Sequence, residues 1–225
     1  MQRRQLSAFL ALSALGAVAP ARAQPLSQND AARGIREALG RGAESAVALL
    51  GRPDGFLGNP QVRIPLPGLL EDPAKLLKFT GQGQRVDDLI TAMNRAAEAA
   101  VPQAKTLLVQ TAKYVSVEDA VRIVGGGETS VTDYFAERTR EPLTVKFLPI
   151  VGKATEKVAL TDKYNAVAGK AAGFGLVKDE DANVQRYVTR KALDGLYFMI
   201  GEEEKKIRRD PVGTGSALLR KVFGF

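Results

Sequence analysis

The chain has 225 residues, with 32 Lys and Arg against 25 Asp and Glu, and it contains neither histidine nor cysteine. Those two absences exclude thiol nucleophiles, the Ser-His-Asp triad, the usual zinc ligand sets, disulfides and an N-terminal lipidated cysteine. Hydrophobic residues make up 45% and charged residues 25%, a globular composition with enough length for one well-filled core.

The first segment reads as an address. Met1-Gln2-Arg3-Arg4 is basic, residues 6–18 are apolar or small, and Ala21 and Ala23 frame an A-x-A pattern ahead of Gln24. This predicts a cleavable signal peptide over residues 1–23, too short to span a bilayer comfortably, and the periplasm as destination. Arg3-Arg4 is one mark of the twin-arginine route, but Gln5-Leu6-Ser7 fits the general route better. Cleavage removes Arg3, Arg4 and Arg22 and no acid, leaving 29 bases, 25 acids and a net charge of +4. That excess is spread along the chain, so no nucleic-acid partner is expected. No later segment is apolar enough to be a transmembrane span.

Residues 27–50 carry Ile35, Leu39, Ala43, Ala46, Val47 and Leu50 at helical spacing, with Ser27 as cap and Asp30 three residues on. Gly34, Gly40 and Gly42 fit that helix if another packs closely on it. Residues 51–67 are rich in Gly and Pro and form a loop, which Phe56, Leu57, Val62 and Ile64 turn onto the core. Residues 68–79 form a short helix with Pro73 near its first turn. In residues 84–100, Val86, Leu89, Ile90, Met93, Ala97 and Ala100 make one stripe, with Asp88, Thr91, Arg95 and Glu98 opposite. Pro102 opens a helix to about Tyr114.

Residues 142–158 are helical, with a kink or break expected at Pro149. A shorter helix covers 161–172, followed by a loop containing Phe174. A long helix spans about 183–209, and its run 196–200, apolar all round, argues for a central buried position. Pro211 stops it, and Leu218, Leu219, Val222 and Phe223 mark a closing helix. The expected architecture is all-α, a single domain over residues 24–225 of about eight to ten short helices around the long one near 183–209.

"VRIVGGGETSVTDYF", residues 121–135, has the look of a phosphate loop. Glu128 stands where a Walker loop needs Lys, and Ser130 where a dinucleotide loop needs its last Gly. Ser116-x-x-Asp119 instead predicts a capped helix ending at Gly125, and Ser130-x-x-Asp133 a second cap, with Tyr134 and Phe135 turned to the core. Loss of that second cap predicts about 1 kcal/mol of destabilisation for Asp133→Ala. Asp179-x-Asp181-x-Asn183 begins like a calcium loop and fails at Val184 and Arg190. Residues 201–210 read as a solvated helix end self-paired through Glu202 with Lys206 and Glu204 with Arg208. No Ser-x-x-Lys occurs.

Asp194 precedes the apolar run and has Arg190 and Lys191 within a turn, which fits a partly buried ion pair or a polar ligand contact. Candidate ligand-binding residues are Asn94, Arg95, Asp133, Tyr134, Lys191 and Asp194. No cofactor or metal is expected. Three functional classes stay open. One is a non-catalytic binding or structural module for an envelope protein or small ligand. Another is a carboxylate-dependent hydrolase or lyase using Glu44, Glu98, Asp133 or Asp194. The third is a peripheral membrane binder using the Phe174 loop or the C-terminal "VFGF".

The stretches "GRPDGFLGNPQVRIPLP", "MNRAAEAAVPQAK", "EDAVRIVGGGETSVTDYF", "KALDGLYFMIGEEEKKIRRDP" and "LLRKVFG" together resemble the secreted bacterial proteins grouped as domain-of-unknown-function family 4197. The resemblance runs from about Ser27 to Gly224 and departs near Ala171 to Asp179. It implies export and one helical domain, with no named activity and no catalytic positions to carry over.

Overall fold

Apolar residues three and four apart from Ala31 to Leu50 build α1 (Gln28–Leu50) in the computed structural model, which describes residues 27–156, 159–175, 178 and 181–224. Ser27 caps α1 by accepting the Asp30 N–H at 3.1 Å and donates its hydroxyl to the Asp30 carboxylate at 2.8 Å. Residues 1–23, expected from the sequence to be a signal peptide, lie outside the described residues.

The remaining elements are α2 (Glu71–Phe79), α3 (Gly83–Ala100), α4 (Ala104–Lys113), α5 (Val117–Val124), α6 (Ser130–Thr155), α7 (Ala159–Gly173), α8 (Val184–Arg209) and α9 (Ala217–Phe223). Short 3₁₀ turns precede α2 and α4. There is no strand among the described residues, and the helices pack around one main core as a single all-α domain. α1 runs along α4, α5, α8 and α9, while α6 packs between α3 and α8. Gly34 admits α9 closely, since a methyl group there would overlap Val222.

Two side chains of α3 hold the 51–67 loop to the core. Asn94, fully buried, accepts the Ile64 N–H at 2.9 Å and donates to the Ile64 carbonyl at 3.0 Å. Glu98 accepts the N–H groups of Phe56 and Leu57 at 3.0 and 3.1 Å. The spacing reading put Glu98 on the solvent face of α3, but it is buried because the loop's unpaired N–H groups need an acceptor there.

α6 settles one half of a second expectation. It is one continuous helix of 26 residues with both Pro142 and Pro149 inside it, so there is no break at Pro149. The two prolines are exposed and two turns apart. The carbonyls they leave without a helical N–H belong to Arg138 and Val145, also exposed, where solvent is at hand to replace the missing bond. In α8, Leu196, Tyr197, Met199 and Ile200 are buried as expected, but Phe198 is 42% exposed.

The glycine corner is a helix end and a helix start, as predicted, and only the second helix departs from its expected cap. Ser116 caps α5 through the Asp119 N–H at 3.0 Å, and Gly125 ends it in the right-handed region. α6 begins at Ser130 itself, and its preceding residue Thr129 makes no side-chain cap. Ser130 donates its hydroxyl back to the Ile123 carbonyl at 2.7 Å. The capping acceptor is Glu204 of α8, whose carboxylate takes the Val131 and Thr132 N–H groups at 3.0 and 2.9 Å. Glu204 is 3% exposed, so the 201–210 segment is not the solvated end its sequence predicted. Glu202 pairs with Lys205 and Glu203 with Lys206, leaving Glu204 with Arg208 turned inward.

Candidate functional site

α6 and α8 pack side by side, and along one stretch their facing side chains leave a cleft of about 690 Å³. α6 contributes Arg140, Glu141, Thr144 and Leu148; α8 contributes Arg186, Thr189, Arg190, Leu193 and Asp194. The α8 set follows helical spacing, so one face of that helix delivers all five. The volume falls within the usual range for small-molecule sites.

Ion pairs fix the rim. Arg140 meets Asp194 at 2.9 Å, and Arg190 meets Asp194 at 3.5 Å and Asp181 at 2.5 Å. Arg140 also lies 4.9 Å over the Tyr197 ring, and Arg190 lies 5.5 Å over Tyr187. These contacts orient the guanidinium planes. Burial raises the Tyr197 phenol above its ordinary value and pushes Tyr187 up to about 12, so both stay neutral hydroxyls beside the arginines.

Thr189 is the odd member. Its hydroxyl is buried and has no hydrogen-bond partner, the only such side-chain polar atom among the described residues. Helical threonines ordinarily return the hydroxyl to the carbonyl four residues back. Thr139, Thr144 and Thr155 of α6 all do so, at 2.6, 2.9 and 2.9 Å. Leaving a buried hydroxyl unpaired costs about 1–3 kcal/mol, and the Thr189 hydroxyl stands without a protein partner in the wall of the cleft.

Asp194 has a second hollow on its other side, about 300 Å³, shared with Lys191 and Phe198 of α8 and with residues 61–65 of the loop. A third depression, about 520 Å³, lies between α1 and the end of α8. Two of its bases are engaged: Arg41 with Glu37 at 2.9 Å and the Thr214 carbonyl at 2.8 Å, and Lys206 with Glu203 at 2.6 Å.

The six candidate residues therefore separate. Lys191 and Asp194 lie at the clefts. Asn94 holds the loop, and Arg95 pairs with Glu98 at 2.7 Å and Asp54 at 2.8 Å on the loop's rim. Asp133 is exposed at the start of α6 and accepts the Thr129 hydroxyl at 3.4 Å. Tyr134 is buried with Arg138 4.7 Å over its ring. Sequence reasoning missed Arg140, Arg186 and Thr189. The helical spacing of Arg186, Thr189, Arg190 and Leu193 held a usable signal; nothing in the chain signalled that Arg140 would face them.

The carboxylates weighed for catalysis have separate partners. Glu44 meets Lys105 at 3.8 Å, Glu98 holds the loop, Asp133 meets Thr129, and Asp194 meets two arginines. Among the described residues no group of three acids is placed to hold a metal ion, and no helix is long and apolar enough to cross a membrane. Asp179 of the calcium-like stretch lies outside the described residues; Asp181 binds Arg190 and Asn183 caps α8 through the Arg186 N–H at 2.8 Å. Phe174 is 82% exposed, Phe223 packs under Arg208 at 4.9 Å, and Phe225 lies outside the described residues.

The sequence profile of the family described as "Protein of unknown function (DUF4197)" matches residues 25–224. The chain belongs to that family. No curated protein and no solved structure matches it. The family match covers every element from α1 to α9, including both walls of the α6–α8 cleft.

Proposed function

We propose that this member of the family is an exported, non-catalytic binding module of the periplasm, and that it holds a small anionic ligand in the cleft between α6 and α8. The observation that carries this reading is the buried, unpartnered Thr189 hydroxyl in the wall of a cleft lined by three arginines. A ligand acceptor at Thr189 would complete the hydroxyl, and guanidinium groups are the side chains best suited to an anion's oxygens. Export rests on the basic, apolar and small-residue order of residues 1–23.

The test is Thr189→Val, close to the same shape without the hydroxyl. The unliganded variant should be more stable than the parent by about 1–3 kcal/mol, since an unsatisfied group is removed. Stabilisation by small carboxylates and phosphates, read as a rise in Tm, should shrink. A variant that is less stable and still responds fully to anions overturns the reading. N-terminal sequencing of the protein from a periplasmic fraction should begin at Gln24; recovery from the cytoplasm with residues 1–23 intact overturns the export part.

A further inference from the structure

The hollow of about 300 Å³ beside Asp194 has two walls. One is a face of α8, where Lys191, Asp194, Gly195 and Phe198 follow at helical spacing. The other is the 61–65 stretch of the loop, whose backbone is spent internally. The Asn59 side chain accepts the Gln61 N–H at 3.1 Å, and the Asn59 carbonyl accepts those of Val62 and Arg63 at 3.2 and 2.8 Å. Buried Asn94 holds both backbone groups of Ile64. Pro65 has no N–H to give, and its carbonyl takes the Tyr187 hydroxyl at 3.1 Å. That wall is fixed before any ligand arrives, which lowers the cost of binding there.

The side chains of the hollow are less fully engaged. Arg63 and Lys191 form no ion pair and no hydrogen bond from their side chains among the described residues, and Lys191 has only the Tyr187 ring at 6.0 Å. Asp194 satisfies neither base, because its carboxylate is turned to Arg140 at 2.9 Å. Phe198 is 42% exposed, while Tyr197 and Met199 on either side of it are buried. Two unengaged cations and a bare ring on one concave surface suit an anion that carries an apolar body.

The same features select the anion. Phosphate sites draw on backbone N–H groups, and residues 61–65 have none to offer. What the hollow does offer is one guanidinium and one ammonium, which match the two oxygens of a carboxylate. A phosphate monoester would bring about two negative charges up to the Asp194 carboxylate. We propose that this hollow is a binding site of its own, for a carboxylate with a ring-sized apolar body. The head sits between Arg63 and Lys191, and the body lies against Phe198. The ligand stays on the loop side of α8 and touches none of the α6 residues of the larger cleft.

Calorimetric titration of the chain beginning at Gln24 with phenylpropanoate, acetate, phenylpropanamide and phenethyl phosphate tests this. Phenylpropanoate should bind roughly tenfold more tightly than acetate, which lacks the body, and than the amide, which lacks the charge. Arg63→Gln combined with Lys191→Gln should remove the advantage over the amide, and Phe198→Ser the advantage over acetate. Thr189→Val, which alters only the larger cleft, should leave phenylpropanoate binding unchanged. Phenylpropanoate affinity that survives the double variant overturns the site. Affinity lost in Thr189→Val also overturns it, places the carboxylate in the α6–α8 cleft and leaves that reading standing. Phenethyl phosphate binding more tightly than phenylpropanoate overturns the choice of carboxylate. Absence of phenylpropanoate binding overturns this site and leaves the α6–α8 cleft to its own test.

Discussion

Glu204 of α8 and Thr132 of α6, 72 residues apart in sequence, are joined twice, by the Thr132 N–H at 2.9 Å and its hydroxyl at 3.0 Å. Arg208 completes the group, binding Glu204 at 2.9 Å and reaching the Ser130 hydroxyl at 2.8 Å. The glycine corner that resembles a phosphate loop thus does present a helix N-terminus to an anion, and the anion is the protein's own carboxylate. Removing it uncovers two buried N–H groups and a largely buried guanidinium. Glu204→Ala should therefore destabilise by about 3–5 kcal/mol, as expected for one lost partner of a buried charge network. Glu204→Gln keeps one acceptor oxygen and should fall between the two. Chemical denaturation of the three proteins checks the order.

The same corner separates its three glycines. A methyl group at Gly126 would stand 2.6 Å from the Ser130 Cβ, whereas at Gly125 the nearest atom is at 3.7 Å and at Gly127 nothing lies within 4 Å. Gly126→Ala should cost about 1–3 kcal/mol, in the range of overpacking. Gly125→Ala and Gly127→Ala should each stay within about 0.5 kcal/mol of the parent. Asp133→Ala, which the cap spacing alone set at about 1 kcal/mol, should cost only a few tenths, because Glu204 already serves the neighbouring N–H groups. Thermal unfolding of the four variants distinguishes a helix corner from an open anion loop.

Helix identity was legible because it is written in local spacing. The stripe Val86, Leu89, Met93 and Ala97 needs no knowledge of the rest of the chain, and neither do the caps Ser27 and Ser116. What stayed hidden depends on partners brought from a distance. Glu98 read as a surface acid because it falls opposite the apolar stripe, and Glu204 because Arg208 stands four residues on, yet both are buried and accept backbone N–H groups from other segments. α6 read as two pieces because a proline's cost depends on which face it occupies, and Pro142 and Pro149 both face solvent. The cleft was half legible. Lys191 and Asp194 drew notice as charges beside an apolar run, but Arg140 acquires meaning only when α6 is laid against α8.

Asn94 is the clearest case of a polar side chain standing in for a strand. It pairs both backbone groups of Ile64 and also donates to the Ile90 carbonyl at 2.8 Å. Asn94→Leu leaves the Ile64 N–H and carbonyl buried without partners, a loss of about 2–4 kcal/mol for two unsatisfied groups. The damage should be local first. Limited proteolysis should cut residues 51–67 in the variant under conditions where the parent is intact, while the circular dichroism helix signal holds.

Alkaline stability should report on Tyr164 and Tyr187. Burial pushes both phenols up to about 12. Tyr164 donates to the Asp181 carbonyl at 2.8 Å and Tyr187 to the Pro65 carbonyl at 3.1 Å, and ionisation forfeits both donors. The folded values lie above the unfolded one near 10, so the folded state binds more protons between the two. Their contribution is fully present below about pH 10 and declines as the pH rises toward 12. The phenolate absorbance of the buried tyrosines should appear together with unfolding in that window, over that of the exposed Tyr114, and Tyr187→Phe should flatten the decline.

Asp194 divides the charge of the cleft without holding the fold. Its side chain is 42% exposed, and so is that of Arg140, a degree of exposure at which an ion pair contributes about 0–1 kcal/mol. Asp194→Asn should therefore leave Tm nearly unchanged. It should also release Arg140 toward an incoming anion and remove one repulsive charge from both hollows. At short range near the protein surface that charge is worth on the order of 1 kcal/mol, about fivefold in affinity. Anion titrations should show tighter binding to Asp194→Asn than to the parent, and the gain should narrow as salt is raised. Weaker binding by the variant would make Asp194 a ligand contact itself and would point to a cationic or hydroxylated ligand in place of an anionic one.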